Sequence, residues 1–300
     1  MSNSNPYKTK AYIALTTTSI IWGTTWVGSK AAVHFGMPGL EVSFVRQFIA
    51  GSIFLAYFLF SGESLPTLKQ FGWLLLLAIC NFVFANGLST WSLKYVSSGL
   101  AALIGALYPL CVVIIELLFF NKRNYNLLTL AGLLVGIAGV LFVLYENAFH
   151  EQPVGYGFGI LLGLIGMVSW SFGTILIARN KYQMNPYYAM GWQMFLASFM
   201  IFGLAKTVQV PLLGIHEIPL QAWLAIAYLI GVGSLITFIA FVYTVRYLPP
   251  ALSSVYAYIN PLVAMLAGYW VLGEPLSVNL FFGAIITLAG VYLVNFSLKK

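Results

Sequence analysis

The chain has 300 residues, 61% of them hydrophobic and only 7% charged, with a net charge of +7 and a mean hydropathy of +0.92. An ordinary soluble domain is roughly a quarter charged, so the composition excludes a water-soluble fold and makes the bilayer the solvent for most of the chain. Aspartate is absent, the acids are Glu41, Glu63, Glu116, Glu146, Glu151, Glu217 and Glu274, and the basic residues form no continuous run; most carboxylate chemistry and nucleic-acid binding are thereby excluded.

A bilayer-crossing helix needs about 20 mostly apolar residues. Cutting the chain at polar and Pro/Gly clusters predicts ten spans. The first lies near 12–29, where Lys8 and Lys10 precede an apolar stretch without a convincing cleavage site, so it reads as a retained span rather than a signal peptide. Then follow 41–60, 71–92, 98–119, 127–145, 155–176, 187–207, 220–243, 251–272 and 278–298. Cys80 and Cys111 both fall inside apolar runs, where a thiol packs as a small hydrophobe.

Cytoplasmic loops retain Lys and Arg. With the N-terminus inside, the cytoplasmic face receives Lys8, Lys10, Lys69, Lys122, Arg123, Arg179, Lys181, Arg246, Lys299 and Lys300, leaving Lys30, Arg46, Lys94 and Lys206 elsewhere. Both termini are therefore expected in the cytoplasm of a multi-pass protein of the cell (inner, plasma) membrane.

The two halves, 1–150 and 151–300, match weakly but in order. At an offset of 152, Lys94-Tyr95 falls on Arg246-Tyr247, Leu100 on Leu252 and Pro109-Leu110 on Pro261-Leu262. After one residue is dropped in the intervening loop, Gly132 and Gly139 fall on Gly283 and Gly290; nearer the start of each half, Trp22 pairs with Trp170, and Phe48 and Ala50 with Phe195 and Ala197. Five spans per repeat is an odd number, so the second copy enters the membrane upside down. The expected fold is all-α, ten transmembrane helices as an inverted 5+5 repeat, an arrangement that places a site near the midplane and permits alternating access.

Trp22-Gly23, Arg46, the Pro109 and Pro261 helices, and Leu272-Gly273-Glu274-Pro275-Leu276 followed by Gly283 and Gly290 together resemble the EamA-type members of the drug/metabolite transporter superfamily. In place of the second-half Gly273-Glu274, the first half reads Phe120-Asn121-Lys122-Arg123. The resemblance implies a transporter, most often an exporter of amino acids and related metabolites or of toxic compounds. It also implies a cavity lined by the first, third, fourth, sixth, eighth and ninth spans.

Buried polar groups in lipid need partners or a wet cavity. On that ground Trp22, Thr25, Asn81, Asn86, Tyr108, Trp170, Tyr256, Tyr258 and Asn260 are candidate cavity residues, and Pro109 and Pro261 candidate gating kinks. Arg46 and Glu116 are intramembrane charges: Glu116 could pair with Lys122 or Arg123, and Arg46 is either a snorkelling or ion-paired arginine or a clamp for a substrate carboxylate. An aromatic, hydroxyl-rich, acid-poor lining suits an uncharged, zwitterionic or anionic organic molecule. His34, His150 and His216 all fall in outer loops, so no proton relay stands out, and coupling to protons or to a counter-substrate stays open. No metal, cofactor or nucleic acid is expected; monomer and homodimer are both open. The alternatives to a secondary transporter are a channel-like facilitator and a membrane-embedded enzyme, the latter lacking any His, Cys or paired-acid constellation.

Overall fold

The computed structural model describes residues 6–119, 126–148, 153–179, 183–248 and 255–297. Leu252, the Phe120–Arg123 stretch, His150, Glu151, Lys181, Lys299 and Lys300 lie outside the described residues, as does the side chain of Glu146. Among the described residues there is no strand, and ten helical spans run in chain order. Span 1 is Pro6–His34, span 2 Gly39–Phe60, span 3 Leu68–Ser92, span 4 Ser98–Phe119 and span 5 Leu127–Ala148. Span 6 is Tyr156–Ala178, span 7 Pro186–Thr207, span 8 runs from Leu220 to Tyr247, span 9 is Tyr256–Leu272 and span 10 Val278–Ser297.

Five of the spans begin where a polar side chain takes up an unpaired N–H group of the first turn. Thr67 and Gln70 form a capping box at span 3. Ser97 accepts from Leu100 at span 4, Asn126 from Thr129 at span 5, and Ser277 from Leu280 at span 10. Asn185 caps span 7, with Pro186 in the first helical position where a missing N–H costs nothing.

Three internal irregularities depart from plain α-helix. Span 3 is π-helical over Ile79–Leu88 and span 8 over Leu229–Ile236, corresponding positions in the two halves. Span 4 breaks at Leu107, whose N–H bonds Ile104 O at 3.1 Å, so Pro109 falls in the first turn of a fresh helix, Tyr108–Phe119. Pro261 instead lies within the continuous helix of span 9, beyond its first turn, where the missing N–H leaves the Ala257 carbonyl without a helical partner. The two matched prolines therefore have different consequences.

The chain divides into two compact units. The first comprises Met1–Val27, Tyr95–Ile160 and Ala240–Lys300, and so holds spans 4, 5, 9 and 10; the second comprises Gly28–Lys94 and Leu161–Ile239, with spans 2, 3 and 7 and most of 8. Each unit thus pairs spans with their repeat counterparts. In the first, spans 5 and 10 cross antiparallel: a Cβ on Gly132 would lie 2.8 Å from Gly290 O, and one on Gly139 2.7 Å from Gly283 O. The repeat register exchanges these two contacts, since 132 corresponds to 283 and 139 to 290. In the second, spans 2 and 7 run antiparallel through Phe44–Phe202 at 5.3 Å, Phe48–Phe195 at 5.8 Å and Phe58–Tyr188 at 5.7 Å. Phe48 stacks on its own repeat equivalent. Helices that meet their own counterparts antiparallel are what an inverted repeat requires. Close approach through glycine gives these crossings the van der Waals contact that lipid, as apolar as the side chains, does not supply by exclusion.

Candidate functional site

In the first unit, Trp22 meets Phe241 at 4.8 Å and Tyr256 at 5.0 Å, and Phe241 meets Tyr256 at 5.6 Å, in tilted and edge-on geometries. Trp22 and Tyr256 are thus brought together, with Phe241 a partner the sequence reading missed. The other polar candidates here are tied into the helices. Thr25 returns its hydroxyl to Trp22 O at 2.7 Å. With its amide nitrogen turned toward two carbonyls, Asn260 donates to Ser19 O at 2.9 Å and Tyr256 O at 3.0 Å, joining span 9 to span 1. Asn295 donates to the Tyr258 hydroxyl. Tyr108 is half-buried at the start of the second helix of span 4, Pro109 is buried beside it, and Glu116 is half-buried two turns on.

In the second unit a polar stripe crosses span 2. Ser43, Arg46 and Gln47 stand at i, i+3 and i+4, one helical face, and all are buried, at 0%, 6% and 1% exposure. Ser43 Oγ and Gln47 Nε2 both donate to Asn86 Oδ1, at 2.8 and 2.9 Å. Arg46 Nε donates to Ser234 Oγ at 3.0 Å, and Nη2 reaches Gly233 O at 3.4 Å. Asn86 lies in the π segment of span 3, and Gly233 and Ser234 in that of span 8. One face of span 2 therefore ties to both π segments.

A second tie runs from span 7 to span 3. Asn81 Nδ2 donates to Gln193 Oε1 at 3.2 Å, and Gln193 Nε2 to Ala189 O at 3.2 Å. Asn81 Oδ1 faces the Cα of Gly173 in span 6, only 1.9 Å from where a Cβ would stand, so a side chain there is excluded. Ser169 of span 6 donates to Cys80 O at 2.9 Å. Trp170 is half-buried between these contacts on span 6, one residue from Ser169. Asn81 and Asn86, expected to share one volume, are turned to different neighbours.

Each π segment, a rare form that recurs at functional positions, is thus fastened by side-chain amides, a hydroxyl or a guanidinium, and buried amides in hydrocarbon are costly unless bonded. Ser43, Gln47, Gln193 and Ser234 were missed in the sequence reading. The i, i+3, i+4 spacing around Arg46 was the available signal for the first two; Gln193 and Ser234 are single polar residues in greasy spans and announce nothing. Among the described residues no group of three or more His, Cys or Glu could hold a metal.

The EamA-like transporter family matches the chain twice, over residues 9–145 and 157–296. The chain is 32% identical over 265 residues to the "Uncharacterized inner membrane transporter YedA" of Escherichia coli (strain K12), covering 86% of this chain and 81% of that protein. It is 24% identical to the "WAT1-related protein At3g02690, chloroplastic" of Arabidopsis thaliana, over 92% of this chain and 67% of that one. The match to the "Uncharacterized transporter YoaV" of Bacillus subtilis (strain 168) is 21% identical over 97% and 98%. A solved crystal structure superposes with a TM-score of 0.63 at 18% identity, over 95% of this chain and 96% of the other, a likeness of fold. Two matched repeats, eight long apolar helices and a shorter one among the described residues, and antiparallel pairing of repeat counterparts agree: the chain is a membrane transporter and belongs to the EamA-like transporter family.

Proposed function

We propose that the protein is a secondary transporter that moves small organic metabolites such as amino acids, as an exporter or exchanger, by alternating access. The observation that carries this reading is the buried amide, hydroxyl and guanidinium network fastened to π segments at corresponding positions of spans 3 and 8. A π segment interconverts with α-helix by shifting hydrogen-bond register, so a helix that contains one has a built-in place to change length and rotation. Polar side chains that cap such a segment have a second role available, as contacts for a polar cargo in an otherwise apolar wall. The repeats, 1–150 and 151–300, are the units of duplication in this reading, and both termini are cytoplasmic.

The test uses the full chain purified and reconstituted into liposomes. Saturable uptake of labelled amino acids, stimulated by unlabelled amino acid trapped inside, is expected; a steady single-channel conductance in a planar bilayer without counterflow would instead establish the channel-like alternative. Direction is read by comparing intracellular and external metabolites with and without overexpression, export giving external accumulation.

The prolines give a sharper expectation. Pro109 stands in the first turn of the second helix of span 4, just beyond the break at Leu107, while Pro261 lies within span 9 without breaking it; in this reading each marks a place where its span flexes. Pro109→Ala combined with Pro261→Ala is expected to slow counterflow about tenfold, equivalent to about 1.4 kcal/mol on the barrier, with half-saturation within about twofold. Unchanged rates, or a loss confined to half-saturation, would remove the prolines from the gating step.

A further inference from the structure

Arg46 carries a full positive charge about 10 Å along the axis from the start of span 2, at a rise of 1.5 Å per residue. Its side chain is 6% exposed, and its bonds go to neutral acceptors, Ser234 Oγ and Gly233 O. No carboxylate among the described residues pairs with it. A charge at that depth is tolerated when it is paired, hydrated or set toward a cavity. Nη1 takes part in neither of these two bonds.

The internal symmetry separates the bonding role of Arg46 from its charge. In the register that places Phe48 on Phe195, Arg46 corresponds to Gln193. Arg46 fastens span 2 to the π segment of span 8; Gln193 fastens span 7 to the π segment of span 3. A neutral amide performs the structural tie in one half, so the tie does not require a guanidinium in the other. Arg46 adds a cation, a planar fork of donors and no counter-charge.

We infer that Arg46 is an anion-recognition residue: its free guanidinium edge binds a carboxylate group of the transported molecule. This deepens the transport reading above and rests on it for the identity of the molecule as cargo. A guanidinium fork matches the two oxygens of a carboxylate, and in a site of low polarity the pairing removes the uncompensated charge that the resting protein bears.

The experiment measures binding, not flux, on the full-length protein in detergent at fixed ionic strength. The probes are sodium acetate and sodium benzoate, their neutral counterparts acetamide and benzamide, and sodium chloride. A ligand held only by the folded state raises the melting temperature by mass action, and the carboxylates are expected to raise it by about 3 °C or more over chloride, with the amides inert. Arg46→Gln is expected to abolish the carboxylate response, Arg46→Lys to keep a weaker one, and Lys206→Gln, which removes a cation from the end of span 7, to keep it in full. Should Arg46→Gln fail to fold, the weaker response of Arg46→Lys beside the full response of Lys206→Gln still decides the matter. Equal shifts from acetate and acetamide, from carboxylate and chloride, or in Arg46→Gln and the native chain would overturn the inference. Carboxylate binding without counterflow in liposomes would leave the Arg46 site standing and refute carriage; counterflow of uncharged solutes unaffected by Arg46→Gln would do the reverse.

Discussion

Gly290→Val is expected to be the most damaging single substitution, lowering stability by about 3 kcal/mol or more, a fall in melting temperature on the order of 10 °C, or preventing assembly. A Cβ at Gly290 would stand 2.1 Å from Gly136 N, 2.4 Å from Gly136 Cα and 2.6 Å from Gly132 O. All three are backbone atoms of span 5, so no rotamer change relieves the overlap and the two helices must separate. Separation forfeits contacts along the whole antiparallel crossing, and in lipid there is no compensating gain from exclusion of water. Gly203→Val is the matched control: a Cβ there meets nothing within 4 Å, and valine in place of glycine in a helix is mildly favourable. Melting of both variants in the same detergent decides the question, and equal values would show that close approach at span 5 and span 10 does not hold the first unit together.

Glu274→Ala is expected to cost about 2 kcal/mol, roughly 4–8 °C in melting temperature. The reason lies in how span 9 ends. Gly273, at φ +65°, is the left-handed residue that closes the helix, with its N–H on Tyr269 O and that of Glu274 on Gly268 O, an αL ending followed by Pro275. This ending aims the Glu274 carboxylate at the first turn of span 4. Its two oxygens accept from Ser98 N at 3.0 and 3.1 Å, and one accepts from Ser98 Oγ at 2.5 Å. A negative charge on the free N–H groups and positive dipole end of a helix is favourable twice over. Gly268 leaves the room, since a Cβ there would fall 2.5 Å from Glu274 Oε2. Glu274→Gln retains an acceptor without the charge and should lose about half as much. Hydrogen exchange at the Ser98–Ala101 amides should rise in Glu274→Ala; unchanged protection there would separate Glu274 from the start of span 4.

These two residues mark what the sequence made legible. Length of apolar runs and the polar breaks between them sufficed to place all ten spans, with most ends within a few residues, because hydrocarbon thickness sets span length more firmly than any local propensity. Span 1 runs longer at both ends than the apolar stretch alone indicates, Pro6–His34 against 12–29. The glycine register was readable, since Gly132, Gly139, Gly283 and Gly290 recur at preserved spacing, and these residues form a crossing. The Gly273-Glu274 signature was readable as a pattern but not as an inter-helix cap, because a contact 176 positions away in sequence leaves no local trace.

The polar candidates were read less well. Hydroxyls and amides in a greasy span announce a need for partners without naming them. For Asn260 the partner is Ser19 O, for Tyr258 it is Asn295, and for Asn86 it is the Ser43 and Gln47 pair. The π segments were invisible for a related reason: a register shift of one hydrogen bond changes neither hydropathy nor periodicity enough to register over eight or ten residues.

The self-pairing of Phe48 with Phe195, and of the span 5 glycines with those of span 10, has a historical corollary. A half-length chain inserted in both orientations would already possess each of these interfaces, because the repeat register maps these contacts onto themselves. Fusion of two such genes would have fixed one copy in each orientation and removed the demand that both stay alike. Arg46 opposite Gln193, and Glu274 opposite a first half without that acid, are the kind of divergence that only the fused chain permits, since in a symmetric pair any buried charge is acquired twice.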